Sequence, residues 1–244
     1  MKKLIFFLIS VCMFWSCKLD NPPRVLYYEG AAIVKDLKAG QPALEVLYDI
    51  LLFAPGLSGE NPEINDLFWV NLFIEEDKQT NKDTMFVSNI SYKQVGYSVA
   101  EPETAIASDF TYTIDRALMW RNHAGNIWIF EFEQMAPDGQ ILDYEMRFDK
   151  ESGETHPTVY LRSKKTNTVD GSNKKTITKF GFDLTPLIEE YANVTSHTLT
   201  FWVKYLSDFN ADDGEIFTSF ITNPVTVKVH GTSDGLSTSA KQWQ

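Results

Sequence analysis

The amino-acid sequence predicts an all-β protein with two units, a small barrel followed by a β-sandwich. Segments rich in Val, Ile, Thr, Tyr, Phe and Trp recur at short intervals, and Gly, Pro, Asn and Asp lie between them. The best helix signature is short, at Pro186–Ala192 after an expected N-cap at Thr185. A hydrophobic fraction of 43% and a charged fraction of 23% over 244 residues are typical of a folded chain and exclude disorder for most of its length.

The expected strands divide into two groups along the chain. They are Tyr27–Val34, Leu44–Phe53, Leu67–Glu75, Thr84–Ser91, Phe110–Trp120, Asn126–Gln134, Gln140–Phe148, Thr158–Arg162, Thr176–Phe182, His197–Leu206, Glu215–Ile221 and Val225–Val229. The strand pattern is interrupted at Ala100–Ser108, so we expect a barrel domain at 25–100 and a sandwich domain at 109–230. Residues 231–244 are rich in Gly, Ser and Thr and are expected to form a flexible tail.

Two neighbouring strands have a clear alternation of apolar and polar side chains. Large apolar residues occupy every second position of Trp128–Phe132 and again of Tyr144–Phe148. The turn signal Ala136–Gly139 lies between them. We therefore expect an antiparallel hairpin with one solvated face at the heart of the sandwich.

The first residues, MKKLIFFLISVCMFWSC, have the pattern of a secretory signal. Lys2 and Lys3 form a basic start, and an apolar run follows at Leu4–Trp15. This run is too short to span a hydrocarbon core about 30 Å thick. It therefore predicts export and not a transmembrane helix.

Ser16 and Cys17 resemble the end of a bacterial lipobox, in which the cysteine becomes the lipidated N-terminus. We expect a lipoprotein signal peptide at 1–16, a covalent lipid of palmitate-type acyl chains on Cys17, and a short Pro-rich tether at 17–24. The predicted location is the cell envelope, as an outer-membrane lipoprotein, with surface exposure left open. The alternative is an ordinary signal peptide with an incidental cysteine.

The charge balance restricts the partners. The chain has 33 acidic and 22 basic side chains, a net charge of −11 and a pI of about 4.8. Nucleic-acid binding is not expected, because phosphate contacts need clustered Lys and Arg. Removal of 1–16 would leave Cys17 as the single cysteine, so no disulfide is expected.

Several segments resemble the NigD-like family of bacterial envelope lipoproteins. The tryptophan-bearing stretch Leu118–Trp120 and the following NIWIFEFEQ at 126–134 look like a hairpin of that family. VYLRS at 159–163, FGFDLTPL at 180–187 and HTLTFWVKYL at 197–206 are similar to its later strands. The Arg-His-Asn triplet of many relatives is Arg-Ser-Lys here.

The resemblance implies a fold and a class of function. It implies an OB-like barrel at the N-terminus and an immunoglobulin-like antiparallel β-sandwich at the C-terminus. It also implies a non-enzymatic, lipid-anchored protein that binds a partner protein, with a role like bacteriocin immunity and an unknown partner.

One loop has the spacing of a calcium ligand set. Asp208, Asn210 and Asp212 place oxygen atoms at alternate positions, as Ca²⁺ requires. Gly214 lies one position too late for the required turn, and Ser219 stands where a bidentate acid is needed. The alternative is a solvated hairpin loop, and no other metal site is expected.

Catalytic patterns are absent from the sequence. The four histidines have no zinc-ligand spacing, and Gly96–Ala100 matches only half of a nucleophile elbow. Glu131 and Glu133 are two residues apart on one strand face, which favours a solvated face over a pair of glycosidase acids. We therefore expect no catalytic residues, no enzymatic activity, and no cofactor apart from the lipid on Cys17.

The tryptophans leave a second function open. Flat aromatic rings can line a glycan or peptide surface, although sandwich cores also use them. The candidates in the exported chain are Trp69, Trp120, Trp128, Trp202 and Trp243. The alternative function is therefore glycan binding as an accessory lipoprotein of an outer-membrane uptake system.

Overall fold

The computed structural model describes residues 25–38, 41–46, 50–75, 85–104, 108–149, 154–210 and 214–229. Its strands are β1 (Val25–Lys38), β2 (Gln41–Val46), β3 (Ile50–Phe53), β4 (Leu67–Glu75), β5 (Met85–Gln94), β6 (Tyr97–Val99), β7 (Glu101–Pro102), β8 (Arg116–Ala124), β9 (Ile127–Pro137), β10 (Leu142–Asp149), β11 (Thr158–Lys165), β12 (Asn173–Asp183), β13 (Thr198–Phe209), β14 (Glu215–Ser219) and β15 (Val225–Lys228). A 3-10 helix lies at Pro55–Glu60, and the α-helix α1 lies at Thr185–Tyr191. The predicted all-β class is confirmed. Within the described residues, none of the helices has both the length and the hydrophobicity needed to cross a membrane.

Strands β1 to β5 close into a small barrel. β1 pairs with β2 and β4, β2 pairs with β3, β4 pairs with β5, and a parallel pairing of β3 with β5 completes the ring. Closure leaves no open edge in the ring. Alternate residues of each strand point inward, and the core contains Ala32, Val34, Leu44, Val46, Leu52, Ala54, Leu57, Phe68, Val70, Leu72 and Ile74.

The remaining strands form the predicted sandwich. One sheet has the order β14–β13–β11–β10–β7, with β15 also paired to β13, and the other has the order β6–β12–β9–β8. Aromatic side chains fill the space between the sheets; the rings of Phe132 and Tyr144, for example, stack with their centroids 4.1 Å apart. Three pairings are parallel, β7 with β10, β11 with β13 and β6 with β12, so the sheets are mixed and not purely antiparallel.

The predicted hairpin of β9 and β10 is wrong. β9 pairs with β8 and β12, whereas β10 pairs with β11 and β7 in the opposite sheet. The turn after Pro137 therefore carries the chain from one sheet to the other, where Gln140 N–H donates to the Pro137 carbonyl at 3.1 Å. The apolar faces of the two strands meet across the sandwich and not side by side.

The strand pairing places the start of the sandwich near Tyr97. β6 pairs with Gly181–Asp183 of β12, and β7 pairs with Arg147 and Phe148 of β10. β6, expected in the barrel domain, and β7, in the expected interruption, thus each join one of the two sandwich sheets. The signal peptide at 1–16, the tether at 17–24 with Cys17, and residues 230–244 lie outside the described part of the chain.

The predicted helix is confirmed, but its N-cap differs from the expectation. Leu184 occupies the N-cap position, and Thr185 is the first helical residue. The carboxylate of Asp183 accepts hydrogen bonds from the Thr185 backbone N–H at 2.9 Å and hydroxyl at 2.6 Å. An acid at the start of a helix is favourable, because it accepts hydrogen bonds from free N–H groups and interacts with the positive end of the helix dipole.

Candidate functional site

A third apolar cluster joins the barrel to the sandwich. Its members are Ala31, Ile33, Leu67, Trp69 and Val95 from the barrel side and Ala124, Ile127 and Ile129 from the sandwich side. β9 therefore buries both of its faces at this end, with Trp128 and Phe130 in the sandwich core and Ile127 and Ile129 against the barrel. The expected solvated face of this strand is wrong at Ile127 and Ile129.

Two glycines allow the close approach of the two units. A Cβ atom on Gly181 would lie 2.6 Å from Cδ2 of Leu67, and one on Gly96 would lie 2.9 Å from Cε2 of Phe180. Both distances are too short for any other residue to fit without movement. Gly181 N–H also donates to the Gly96 carbonyl at 2.9 Å, so the backbones are held together at this point.

At the exposed side of this junction four residues form a compact group, here called the junction cluster: Trp69, Trp120, Glu131 and Lys179. The rings of Trp69 and Trp120 meet edge to face with centroids 5.2 Å apart. The Lys179 Nζ atom lies 4.7 Å from the Trp69 centroid and 5.1 Å from that of Trp120, and 3.1 Å from Oε2 of Glu131. Trp69 is buried, whereas Trp120 is 36% exposed.

The contacts of the junction cluster hold it in one arrangement. Each cation–aromatic contact contributes about 0.5–2 kcal/mol, depending on how far water is excluded. The Trp69 indole N–H also donates to Oε1 of Glu29 at 3.4 Å. Trp120 is therefore an exposed ring whose position is set by neighbours from the barrel and from the second sheet.

The outer face of the barrel continues this surface. Tyr27 and Phe73 are cross-strand partners with ring centroids 5.2 Å apart, and they are 56% and 41% exposed. Phe73, Asn71 and Trp69 lie on the same face of β4, because side chains alternate along a strand. Aromatic rings thus occupy both ends of this face, with polar side chains between them.

A second group of charged residues lies on the outer face of the first sheet. Arg162 is buried, and its Nε and Nη2 atoms donate to both carboxylate oxygens of Glu215 at 2.7 and 2.8 Å. Its Nη1 atom donates to Glu103 at 3.2 Å, and Arg147 contacts Glu103 and Glu145. Burial alone would lower the pKa of Arg162, but hydrogen bonds and charges of Glu215 and Glu103 hold it above its usual value.

The carboxylates flagged by the sequence are engaged in ion pairs. Glu131 contacts Lys179, and Glu133 contacts Lys175 at 2.7 Å. The Arg162 group pairs three further carboxylates with two arginines. Each of these carboxylates therefore has a cationic partner.

The calcium candidate lies partly within the described residues. The side-chain oxygen of Asn210 accepts the Gly214 N–H at 2.9 Å, and Asp208 accepts the Phe209 N–H at 2.8 Å. These contacts are those of a hairpin turn, and Asp212 lies outside the described residues. No group of three His, Cys, Asp or Glu side chains in the described part could hold a metal ion.

Among the histidines and tryptophans of the described residues, His123, Trp69 and Trp128 are buried. His123 stacks on Trp128 at 4.4 Å, and its Nδ1 atom lies 2.8 Å from the Gly125 carbonyl. Trp202 is half-buried, and Trp243 and His230 lie outside the described residues. Sequence reasoning included Trp69 and Trp120 among the candidates but missed Lys179, for which no local signal exists.

Comparisons with known proteins define the fold and not the activity. No protein-family model matches the sequence, and no curated protein matches it at a significant level. An uncharacterised protein from Parabacteroides merdae matches with a TM-score of 0.66 and 14% identity, over 84% of this chain and 100% of that one. A candidate lipoprotein from Bacteroides fragilis matches with a TM-score of 0.52 and 11% identity, over 85% of this chain and 99% of that one.

A NigD-like immunity protein from Bacteroides caccae is also similar in structure. It has a TM-score of 0.47 and 13% identity, over 80% of this chain and 92% of that one. Identities this low concern the fold alone. The resemblance predicted from the sequence is thus confirmed as a likeness of fold to the candidate lipoprotein from Bacteroides fragilis.

Proposed function

We propose that the chain is a non-enzymatic, lipid-anchored protein of the bacterial cell envelope that binds a partner protein through the junction cluster. The observation that carries the proposal is the exposed Trp120 ring, held against Trp69 and Lys179. Binding hot spots are enriched in tryptophan, and rigid aromatic side chains lose little conformational entropy on binding.

The surroundings of Trp120 favour a protein partner. The charged groups of Lys179 and Glu131 lie beside the ring and supply the polar rim that protein interfaces commonly have. Lys179 also occupies one side of the Trp120 ring, which leaves a sugar only the other side on which to stack. If the role is like bacteriocin immunity, the partner is a toxin at the cell surface.

The lipid anchor is the second part of the proposal. The signal pattern ending at Cys17 supports it. Mass spectrometry of the N-terminal peptide from the membrane fraction should show Cys17 with attached acyl chains. A Cys17→Ser variant should be lost from the outer membrane; if it stays there unchanged, the anchor is excluded.

Photo-cross-linking in intact cells tests partner binding at the junction cluster. A photoreactive residue at position 120 should yield an adduct of one defined protein. The same residue at Val194, which is 84% exposed, is the matched control and should yield none. Equal adducts from both positions would contradict the proposed site.

The affinity of the partner found in this way gives the quantitative test. Trp120→Ala should weaken binding by about 2 kcal/mol or more, roughly thirtyfold in Kd, because a central aromatic contact is lost. Val194→Ala should leave the affinity unchanged. Calorimetric titration measures both, and unfolding midpoints of the two variants show whether each remains folded.

The exposed ring of Trp120 also favours the second candidate, glycan binding in an uptake system. A glycan array separates the two functions. Specific signal that Trp120→Ala abolishes would support carbohydrate binding. For the leading function, a deletion strain should become sensitive to a bacteriocin, and unchanged resistance would argue against the immunity role.

A further inference from the structure

Exposed apolar side chains gather at one end of the barrel, here called the barrel rim: Leu26, Tyr27 and Phe73. They are 45%, 56% and 41% exposed. Tyr27 is paired with Phe73 on one face of the two strands, and Leu26, paired with Ile74, lies on the other face at the same end of the barrel. Exposed apolar groups that cluster in this way mark contact surfaces more often than isolated ones do.

The barrel rim lies at the end of β1 that is farther from the contact with the sandwich. Along β1, Ala31 and Ile33 enter the apolar cluster that joins the two units. Tyr27 precedes them by four to six residues, about 13–20 Å along an extended strand. Contact at the barrel rim is therefore separate from contact at the junction cluster.

The covalent chain limits the distance between the barrel rim and the predicted anchor. Val25 is the eighth residue after Cys17. Eight extended residues span at most about 28 Å. Once Cys17 is held in a membrane, the start of β1 must stay within this distance of the bilayer surface, and the barrel rim is the part of the barrel that the chain enters first.

The chemistry of the barrel rim fits a lipid headgroup region. The Tyr27 hydroxyl lies 2.9 Å from Oδ1 of Asn71 and 3.1 Å from Oε2 of Glu29, while the ring stays exposed. An apolar ring with a polar end suits the boundary between acyl chains and water. Leu26 and Phe73 add apolar area without charge.

The charge of the chain selects the lipid. The whole chain has a net charge of −11, and removal of 1–16 with Lys2 and Lys3 would leave a body of −13, which anionic headgroups repel. Burial of apolar side chains, and not electrostatic attraction, must then supply the contact. The barrel rim is therefore compatible with a zwitterionic lipid surface, which has no net charge.

We propose that the barrel rim rests on the headgroup region of the bilayer in which Cys17 is anchored. The sandwich and the junction cluster then face away from the membrane, where a partner can reach them. This inference rests on the lipid anchor of the proposed function and adds an orientation that the anchor alone does not impose.

Spin labelling of the acylated full chain in phosphatidylcholine vesicles tests the orientation. The mature chain has no cysteine besides Cys17, so Leu26→Cys and Val194→Cys each give a single labelling site. Attachment to vesicles should shift the collision ratio at position 26 toward oxygen, which enters lipid, and away from a water-soluble nickel complex. The ratio at position 194 should not change.

A second variant tests whether the barrel rim causes any protection of position 26 from the nickel complex. Tyr27→Ser with Phe73→Ser removes both exposed rings and should return position 26 to full nickel access while the protein stays on the vesicles. Unchanged nickel access at position 26 in vesicle-bound protein would overturn the inference and leave the anchor intact. If the acylated chain without the Tyr27 and Phe73 substitutions fails to bind vesicles, both the anchor and the orientation are overturned. Protection that needs an envelope protein and not vesicles would reassign the barrel rim to a protein partner.

Discussion

Arg162 shows at the residue scale how the sandwich secures its outer strand. Its guanidinium group extends from β11 across β13 to both oxygens of Glu215 on β14, and the Phe217 ring lies 4.9 Å away. β14 is an edge strand with several exposed side chains. A bidentate contact of this type has a fixed geometry, so it holds the edge strand in register.

Replacing Arg162 with Met should lower the free energy of unfolding by roughly 2–3 kcal/mol, because three hydrogen bonds to partly buried carboxylates are lost. Lys174→Met is the matched control, because the Lys174 pair with Asp138 is exposed on both sides. That control should change little. Urea unfolding measures both, and equal effects would contradict the structural role of Arg162.

Tyr144 gives the fold a dependence on alkaline pH. Its side chain is 1% exposed, and its hydroxyl donates to Oε1 of Gln134 at 2.7 Å. Burial raises the pKa of Tyr144 above the ordinary value of 10.0. Below pH 10 the phenol is neutral in both states; above it the unfolded chain loses a proton that the folded chain keeps, so stability falls as pH rises toward the folded pKa.

The expected loss is up to about 1.4 kcal/mol per pH unit for this one proton. Tyr144→Phe removes the titrating group and should show a shallower decline in unfolding free energy above pH 10. Urea unfolding of both proteins at several alkaline pH values measures the slopes. Identical slopes would mean that Tyr144 ionises normally in the folded state.

At the scale of elements, the paired strands β9 and β12 connect the sandwich core to the barrel. They pair along Asn173–Asp183, and each packs toward the sandwich core on one face. On the other face, Ile127 and Ile129 of β9 and Gly181 of β12 lie against the barrel. The alternation along β9 correctly identified Trp128, Phe130 and Phe132 as core residues. It could not show that β10 lies in the opposite sheet, because an apolar face packs equally well beside a neighbour or across a core.

Gly181 of β12 tests how closely these elements are joined. Gly181→Ala should lower the free energy of unfolding by about 1–3 kcal/mol, because the new methyl group would overlap Leu67 and Tyr97. Gly59→Ala is the control, since nothing lies within 4 Å of its added Cβ atom. Thermal or urea unfolding compares the two, and a Gly181 variant as stable as the control would contradict the close packing.

At the scale of the whole molecule, three groups of surface residues lie in different parts of the fold. The barrel rim lies at the start of β1, the junction cluster lies where barrel and sandwich meet, and the Arg162 group lies on the outer face of the first sheet. The apolar cluster between the units fixes their relative position. An anchor at Cys17, together with the proposed contact of the barrel rim, would thus orient the proposed binding site as well as locate it.

The sequence by itself determined the all-β class, the short helix after Asp183 and the core positions of β9 and β10, because strand periodicity and helix signals are local. Only the tertiary structure decided which sheet each strand joins and which side chains form a site. Trp69, Trp120, Glu131 and Lys179 are far apart in sequence and meet only because β4, β8, β9 and β12 converge at one junction. Contacts between distant strands leave no local pattern, so the candidate site had to come from the fold.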